Sequence, residues 1–187
     1  MLAGIGKHEV DYLDQINSDL DFLSIQMYGD IVNLETRLRD AGYEGPYLVT
    51  EWGATGHWEV ARTDWDVAIE QTSSEKADAI KHRYESVILE DDTNCMGSFV
   101  FLWGQKQERT PTWYGLFTEH GEKTEAINMM YYLWNNEWPE NRAPRIIEAS
   151  LDNKDRFDNI RLQKDTEYAA SVDVADPNND SLEIRWE

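Results

Sequence analysis

The chain has 187 residues, 41% of them hydrophobic, which is enough for one packed core and the start of a second. Its formal net charge of −20 argues against nucleic acid as a partner, because phosphate binding needs a basic patch and none is visible. An anionic membrane surface is disfavoured on the same ground, and no apolar run approaches the length of a membrane-spanning helix. One cysteine, Cys95, excludes an intrachain disulfide, and no Cys/His cluster with metal-ligand spacing exists, so neither metal nor cofactor is expected. Eight tryptophans suit either a core or flat ligands such as sugar rings.

In chain order, "HEVDYLDQIN" spaces Val10, Leu13 and Ile16 like one face of a short helix. The stretch before it has no basic end leading into a long apolar run, so no signal peptide is expected within it. "DFLSIQMYG" (Asp21–Gly29) reads as a buried strand. "DIVNLETRLRDAG" places Ile31, Leu34, Leu38 and Ala41 on one helical face, with Gly42 as its stop. "PYLVTE" (Pro46–Glu51) is a second buried strand.

From Trp52 to about Gln71 the chain is rich in Trp and Gly. Connections this long are uncommon in compact domains unless functional or disordered, and three tryptophans argue against disorder. Thr72 and Glu75 form a capping box for a helix carrying Ala77, Ile80, Tyr84, Val87 and Ile88. "MGSFVFLWG" (Met96–Gly104) is a third buried strand, with Cys95 before it read as a buried small hydrophobe. A second aromatic loop leads to a last helix with Ala126, Met129, Met130, Leu133 and Trp134 on its apolar side.

The strands are apolar throughout rather than alternating, the pattern of a parallel sheet covered by helices. After residue 142 the pattern changes. Pro139 and Pro144 bracket a polar linker. "RIIEASLD", "NIRLQKDTEYAASVDVAD" and "SLEIRWE" then alternate apolar and polar residues as β-sandwich strands do. The expected organisation is an α/β unit over residues 1–142 and the start of an immunoglobulin-like sandwich over 143–187. Asp173–Asp180 has the acidic spacing of a calcium-binding turn, though an Asx-rich turn explains it as well.

Ligands of parallel α/β folds bind at the carboxyl ends of the strands. Three strand ends here offer Gln26 and Tyr28, then Glu51, then Trp103, Gln105 and Lys106. A flat apolar platform with oriented polar groups suits a polyhydroxylated ligand. On the local pattern alone, Glu51 is either catalytic or a partly solvated acid at a loop start. Trp52, His57, Trp58 and Trp113 are further binding candidates, with anchoring roles for Trp58 and Trp113 left open. Glu59, Glu108 and Glu119 read as surface acids.

"DFLSIQMYG", "PYLVTEWG" and "GSFVFLWG", in this order and spacing, resemble the last three strands of a (β/α)8-barrel retaining glycoside hydrolase, of family 2 type or β-glucanase and glucanosyltransferase type. The resemblance covers about residues 1–142 and implies a partial TIM barrel. It carries the nucleophile role to Glu51, the tyrosine that hydrogen-bonds the nucleophile to Tyr28, and the tryptophan under the sugar to Trp103. It implies an oligo- or polysaccharide partner of β-glucan kind and an extracellular or periplasmic setting for the parent protein. Retaining enzymes need two carboxylates about 5 Å apart. By this strand count the acid/base would precede Met1. The alternative is therefore a non-catalytic carbohydrate-binding or interaction module. An open sheet also needs a cover, either the missing part of the barrel or another copy of the chain.

Overall fold

The computed structural model describes residues 2–16 and 19–186. The elements, in order, are β1 (Leu2–Ala3), α1 (Lys7–Ile16), β2 (Leu23–Gln26), a 3-10 turn (Gly29–Asn33), α2 (Leu34–Ala41) and β3 (Tyr47–Gly53). Then come α3 (Ser73–Arg83) with a π turn (Tyr84–Ile88), β4 (Cys95–Phe101), α4 (Glu125–Asn135), β5 (Arg145–Leu151) and β6 (Ala170–Ala175). The first four strands form one sheet in the order β1-β2-β3-β4, with every neighbouring pair parallel. β5 and β6 form a separate antiparallel pair. The protein is thus a mixed α/β chain with a parallel sheet and a second, antiparallel one.

Local signals account for most helix ends. Gly42 takes a left-handed φ of 78° and stops α2, where its N–H donates back to Leu38 and Arg39. At α3 the capping box forms in full: Thr72 N–H donates to Glu75 Oε2 at 2.8 Å and Glu75 N–H to Thr72 Oγ1 at 3.2 Å. Thr72→Ala removes one of these bonds and is expected to lower stability by about 1 kcal/mol, measurable as a lower urea midpoint with unchanged m-value. An unshifted midpoint would mean the cap contributes nothing.

One face of the parallel sheet is covered. Ile25, Val49 and Trp52 meet Ile31, Leu34 and Leu38 of the first helical layer, and Ala77, Ile80, Ala126, Met129 and Met130 of the second. A smaller cluster caps the strand ends, built from Tyr28, Ala54, Trp113 and Tyr114. The Trp52–Gln71 segment is ordered. Arg62 pairs with Asp66 and bridges Ala68, while Asp64 N–H donates to Asn159 Oδ1 at 2.7 Å. The second sheet is tied to the first unit by Arg145, which pairs with Asp78 and Glu125, and by Arg156, which pairs with Glu75.

Three expectations need correction. Among the described residues the sheet has four strands, not three, because two residues before Gly4 pair with Ile25 and Gln26 and are too few to show periodicity. The last of the four strands is not buried: Met96 and Phe99 are exposed, since nothing pairs with β4 on its outer edge among the described residues. Of the alternating C-terminal stretches, "RIIEASL" and "ASVDVA" become strands, whereas residues 159–169 and 181–186 do not. Alternation makes a strand only where a partner lies alongside. Cys95 is half-buried rather than enclosed. The last residues of two expected elements, Asn17 and Glu187, lie outside the described residues.

Candidate active site

Glu51 owes its position to an extra residue in β3. Strict alternation from Tyr47 would put Tyr47, Val49 and Glu51 on one face and Trp52 on the other. The register contradicts this. Ile25 pairs with Val49 but Gln26 pairs with Glu51, and Ser98 pairs with Val49 but Val100 with Trp52. One residue is therefore bulged between Val49 and Trp52. A bulge shifts the parity of everything after it. Glu51 is turned to the open face, and Trp52 goes to the helices, 0% exposed and stacked on Tyr84 with ring centroids 5.7 Å apart.

Two neutral donors hold the Glu51 carboxylate. Gln26 Nε2 donates to Oε2 at 2.7 Å and the Tyr28 hydroxyl to Oε1 at 2.5 Å. Both come from the end of β2, whose hydrogen-bonding continues one step further as Met27 N–H donates to the Glu51 carbonyl at 3.0 Å. Burial, reinforced by the Glu51 carboxylate, pushes the Tyr28 phenol far above its ordinary ionisation range. Tyr28 is thus a fixed proton donor to Glu51. A carboxylate held by two donors keeps one orientation, which a reacting group needs.

Glu51 lines a cleft of about 410 Å³ together with Gln26, Tyr28 and Trp58. Gly4, Met27, Asp30 and Glu59 complete its lining. Trp58 is 58% exposed and stands edge-on to Tyr28, with centroids 5.5 Å apart, and to His57, at 4.9 Å. An exposed indole beside a fixed carboxylate offers an apolar platform next to a polar anchor. The carboxylates of the lining differ in their partners. Asp30 accepts from Asn33 and pairs with Arg37. Glu59 accepts from three backbone amides. The two donors to Glu51 carry no charge.

No protein-family model matches the chain, and no curated protein matches it. Among solved structures it is similar to a GH2 beta-galacturonidase from Eisenbergiella tayi bound to galacturonate. The two share 17% identity, with a TM-score of 0.46, over 63% of this chain and 24% of that one. The chain therefore spans about a quarter of that protein's length.

The other expected site residues fall into two groups. Trp52 and Trp113 are corrected: both are buried, and neither lines the cleft. Trp52 lies in the helix-side core for the reason of parity given above. Trp113 is 2% exposed, and its indole N–H donates to the Thr55 carbonyl at 2.9 Å, which makes it an anchor for the loop after β3. His57, Trp103, Gln105 and Lys106 stand outside the cleft's lining. His57 Nε2 lies 3.8 Å from Glu108, and Lys106 Nζ lies 2.6 Å from the same carboxylate. Gln105 donates to the Pro111 carbonyl at 3.0 Å. Trp103 is 65% exposed and rests edge-on against Phe117.

Asp30 and Met27 were missed as lining residues. They follow the strand end directly, where only the local turn decides which side chains face the cleft. Arg83 was missed as well. It is 7% exposed and donates to the Gly53 carbonyl and to Thr55 Oγ1, both at 2.6 Å, so it braces the loop from behind. An arginine at the end of α3 carries no sign of this in sequence.

Among the described residues no group of three or more His, Cys, Asp or Glu side chains is placed to hold a metal. At the acidic turn near the C-terminus, Asp176 Oδ1 accepts from Asn178 and Asp180 N–H at 2.8 and 2.9 Å. A larger groove of about 910 Å³ runs between the N-terminal ends of α3 and α4 and β5. It is the seam between the helices α3 and α4 and the second sheet, crossed by the Arg145 and Arg156 ion pairs, and it contains none of the strand-end residues.

Proposed function

We propose that the chain is the C-terminal part of a retaining β-glycosidase or transglycosidase acting on a β-glucan-like polysaccharide, with Glu51 as nucleophile. The observation that carries this reading is the Glu51 carboxylate turned into an open cleft by the bulge and held by Gln26 and Tyr28. A nucleophile must stay ionised yet unencumbered by cations, and neutral donors provide both orientation and freedom to attack. Trp58 supplies a platform for a sugar ring beside it. The resemblance of the three strand ends to a barrel glycosidase supports the same reading.

Sheet order supports the barrel reading. Doubly wound sheets reverse their strand order at a switch point, whereas barrel strands follow one another without reversal. Here β1 to β4 run in sequence, with helices packed on one face. The remaining strands of the barrel would cover the open face and supply the acid/base. The antiparallel pair after residue 142 is read as the beginning of an immunoglobulin-like module, and the parent protein as extracellular or periplasmic.

A second reading has its own support. Asp30 and Glu59 are committed to internal partners, which leaves the described part of the cleft without a free second carboxylate. The chain by itself would then bind sugar without cleaving it. Titration with cellotetraose, followed by tryptophan fluorescence, tests the carbohydrate assignment shared by both readings. Quenching is expected, and Trp58→Ala should weaken binding about tenfold, the loss of one stacking platform. No response to cellotetraose or laminaritetraose would remove the carbohydrate assignment. Hydrolysis by the isolated chain would overturn the second reading.

A further inference from the structure

Glu59 lies on a loop after β3, among turns and glycines, and its sequence suggests only a surface acid. Its carboxylate is nevertheless fully engaged. Oε2 accepts from Gly29 N–H at 2.7 Å and from Gly56 N–H at 2.8 Å, and Oε1 accepts from Asp30 N–H at 2.8 Å. Gly29 and Asp30 begin the turn after β2, directly beyond Tyr28. Gly56 belongs to the loop after β3, two residues before Trp58. One side chain therefore joins two loops, each carrying one aromatic wall of the cleft.

We propose that Glu59 is the positioning residue of the cleft, clasping the loops after β2 and β3 so that Tyr28 stays on Glu51 and Trp58 stays on Tyr28. Its bearing on catalysis rests on the glycosidase reading; the clasp itself rests on the geometry. Carboxylate oxygens accepting from backbone amides make charge-assisted bonds, stronger than neutral ones. Both loops have made room for it. A Cβ on Gly29 or on Gly56 would come within 2.8 Å of Glu59 Oε2, closer than non-bonded atoms allow. The buried Arg83 contributes from behind. Burial lowers the pKa of Arg83, and the nearby Glu59 charge opposes that fall.

Glutamine at this position has nearly the same shape but one acceptor oxygen, and it turns an NH2 group toward the amides left over. Aspartate keeps the charge beside Arg83 but shortens the reach by one methylene, so it cannot serve both loops. The test is amide, indole and tyrosine-ring NMR on the whole chain. In Glu59→Gln the Gly29, Asp30 and Gly56 amides, the Trp58 indole and the Tyr28 ring should all shift, while the Trp52 indole in the helix-side core stays in place. Unmoved Trp58 and Tyr28 signals would overturn the proposal. If Glu59→Gln loses the Trp52 signal through unfolding, Glu59→Asp decides by the same criterion.

Sugar binding provides a separate arm. Cellotetraose affinity should fall about tenfold in Glu59→Gln, as for loss of the aromatic wall. Equal affinity in wild type and Glu59→Gln overturns the positioning role. If the wild-type chain binds no sugar, the glycosidase reading falls, and the NMR signals still decide the clasp.

Discussion

On the proposed glycosidase reading, Glu51→Gln is expected to reduce turnover of the full-length parent protein by on the order of 10⁴-fold or more, the scale of losing a covalent nucleophile. Binding should survive. Glutamine fills the same space, and its amide oxygen can still accept from Tyr28 or Gln26. The loss should therefore appear in kcat, with KM little changed, because the carboxylate matters when the glycosidic bond breaks rather than when sugar docks. Glu51→Ala offers a complementary outcome. It leaves a hole at the end of β3 in which azide can replace the missing nucleophile. Azide attacking from the nucleophile's side displaces the leaving group and gives the α-glycosyl azide, with inverted anomeric configuration. Steady-state rates on an aryl β-glucoside and the configuration of the azide product are the measurements. Rates within about tenfold of wild type in Glu51→Gln would remove Glu51 from the nucleophile's place.

Trp52→Ala is expected to destabilise the chain by about 3–5 kcal/mol, the range for emptying a large aromatic site in a core. That is a large part of the 5–15 kcal/mol roughly typical of a whole domain, so the variant should be partly unfolded at 37 °C. The side chain is wholly enclosed, stacked on Tyr84 and surrounded by the helix-side core. Trp52→Phe should be much milder. Among the described residues the buried Trp52 indole N–H has no hydrogen-bond partner, and phenylalanine removes that donor along with part of the ring. Trp58→Ala should cost under about 1 kcal/mol, since that ring is more than half exposed. Urea unfolding followed by circular dichroism separates the three. Equal costs for Trp52→Ala and Trp58→Ala would contradict the placement of Trp52 in the helix-side core and of Trp58 at the open cleft.

Much of this arrangement was legible from residue order. The apolar runs ending at Gln26, Glu51 and Phe101 are strands, and they are parallel. Gly42 and the Thr72–Glu75 box end and begin helices where their chemistry says they should. Gln26, Tyr28 and Glu51 were recognised as strand-end groups, and they converge through direct hydrogen bonds. Each of these features depends on residues within one element, or on the rule that parallel strands present their carboxyl ends together. The failures have a common cause. Trp52 and Trp113 look alike in sequence to the exposed Trp58 and Trp103, because an indole serves a core or a surface equally well. Which of these it does depends on what is packed on the other side.

Sequence by itself determined that the protein is a helix-covered parallel sheet, and that an acid, an amide and a phenol end its adjacent strands. Local propensity and periodicity act over a few residues, and those were enough. Only the tertiary structure decided which way the acid faces. Between Val49 and Trp52 one residue is bulged by the register of β3 against β2 and β4, and that single step exchanges the faces of Glu51 and Trp52. The same holds for Glu59, whose three donors come from positions 3, 29 and 30 residues away. A side chain's face and partners are set by neighbours distant in sequence, so they exist only once the strands and loops have packed together.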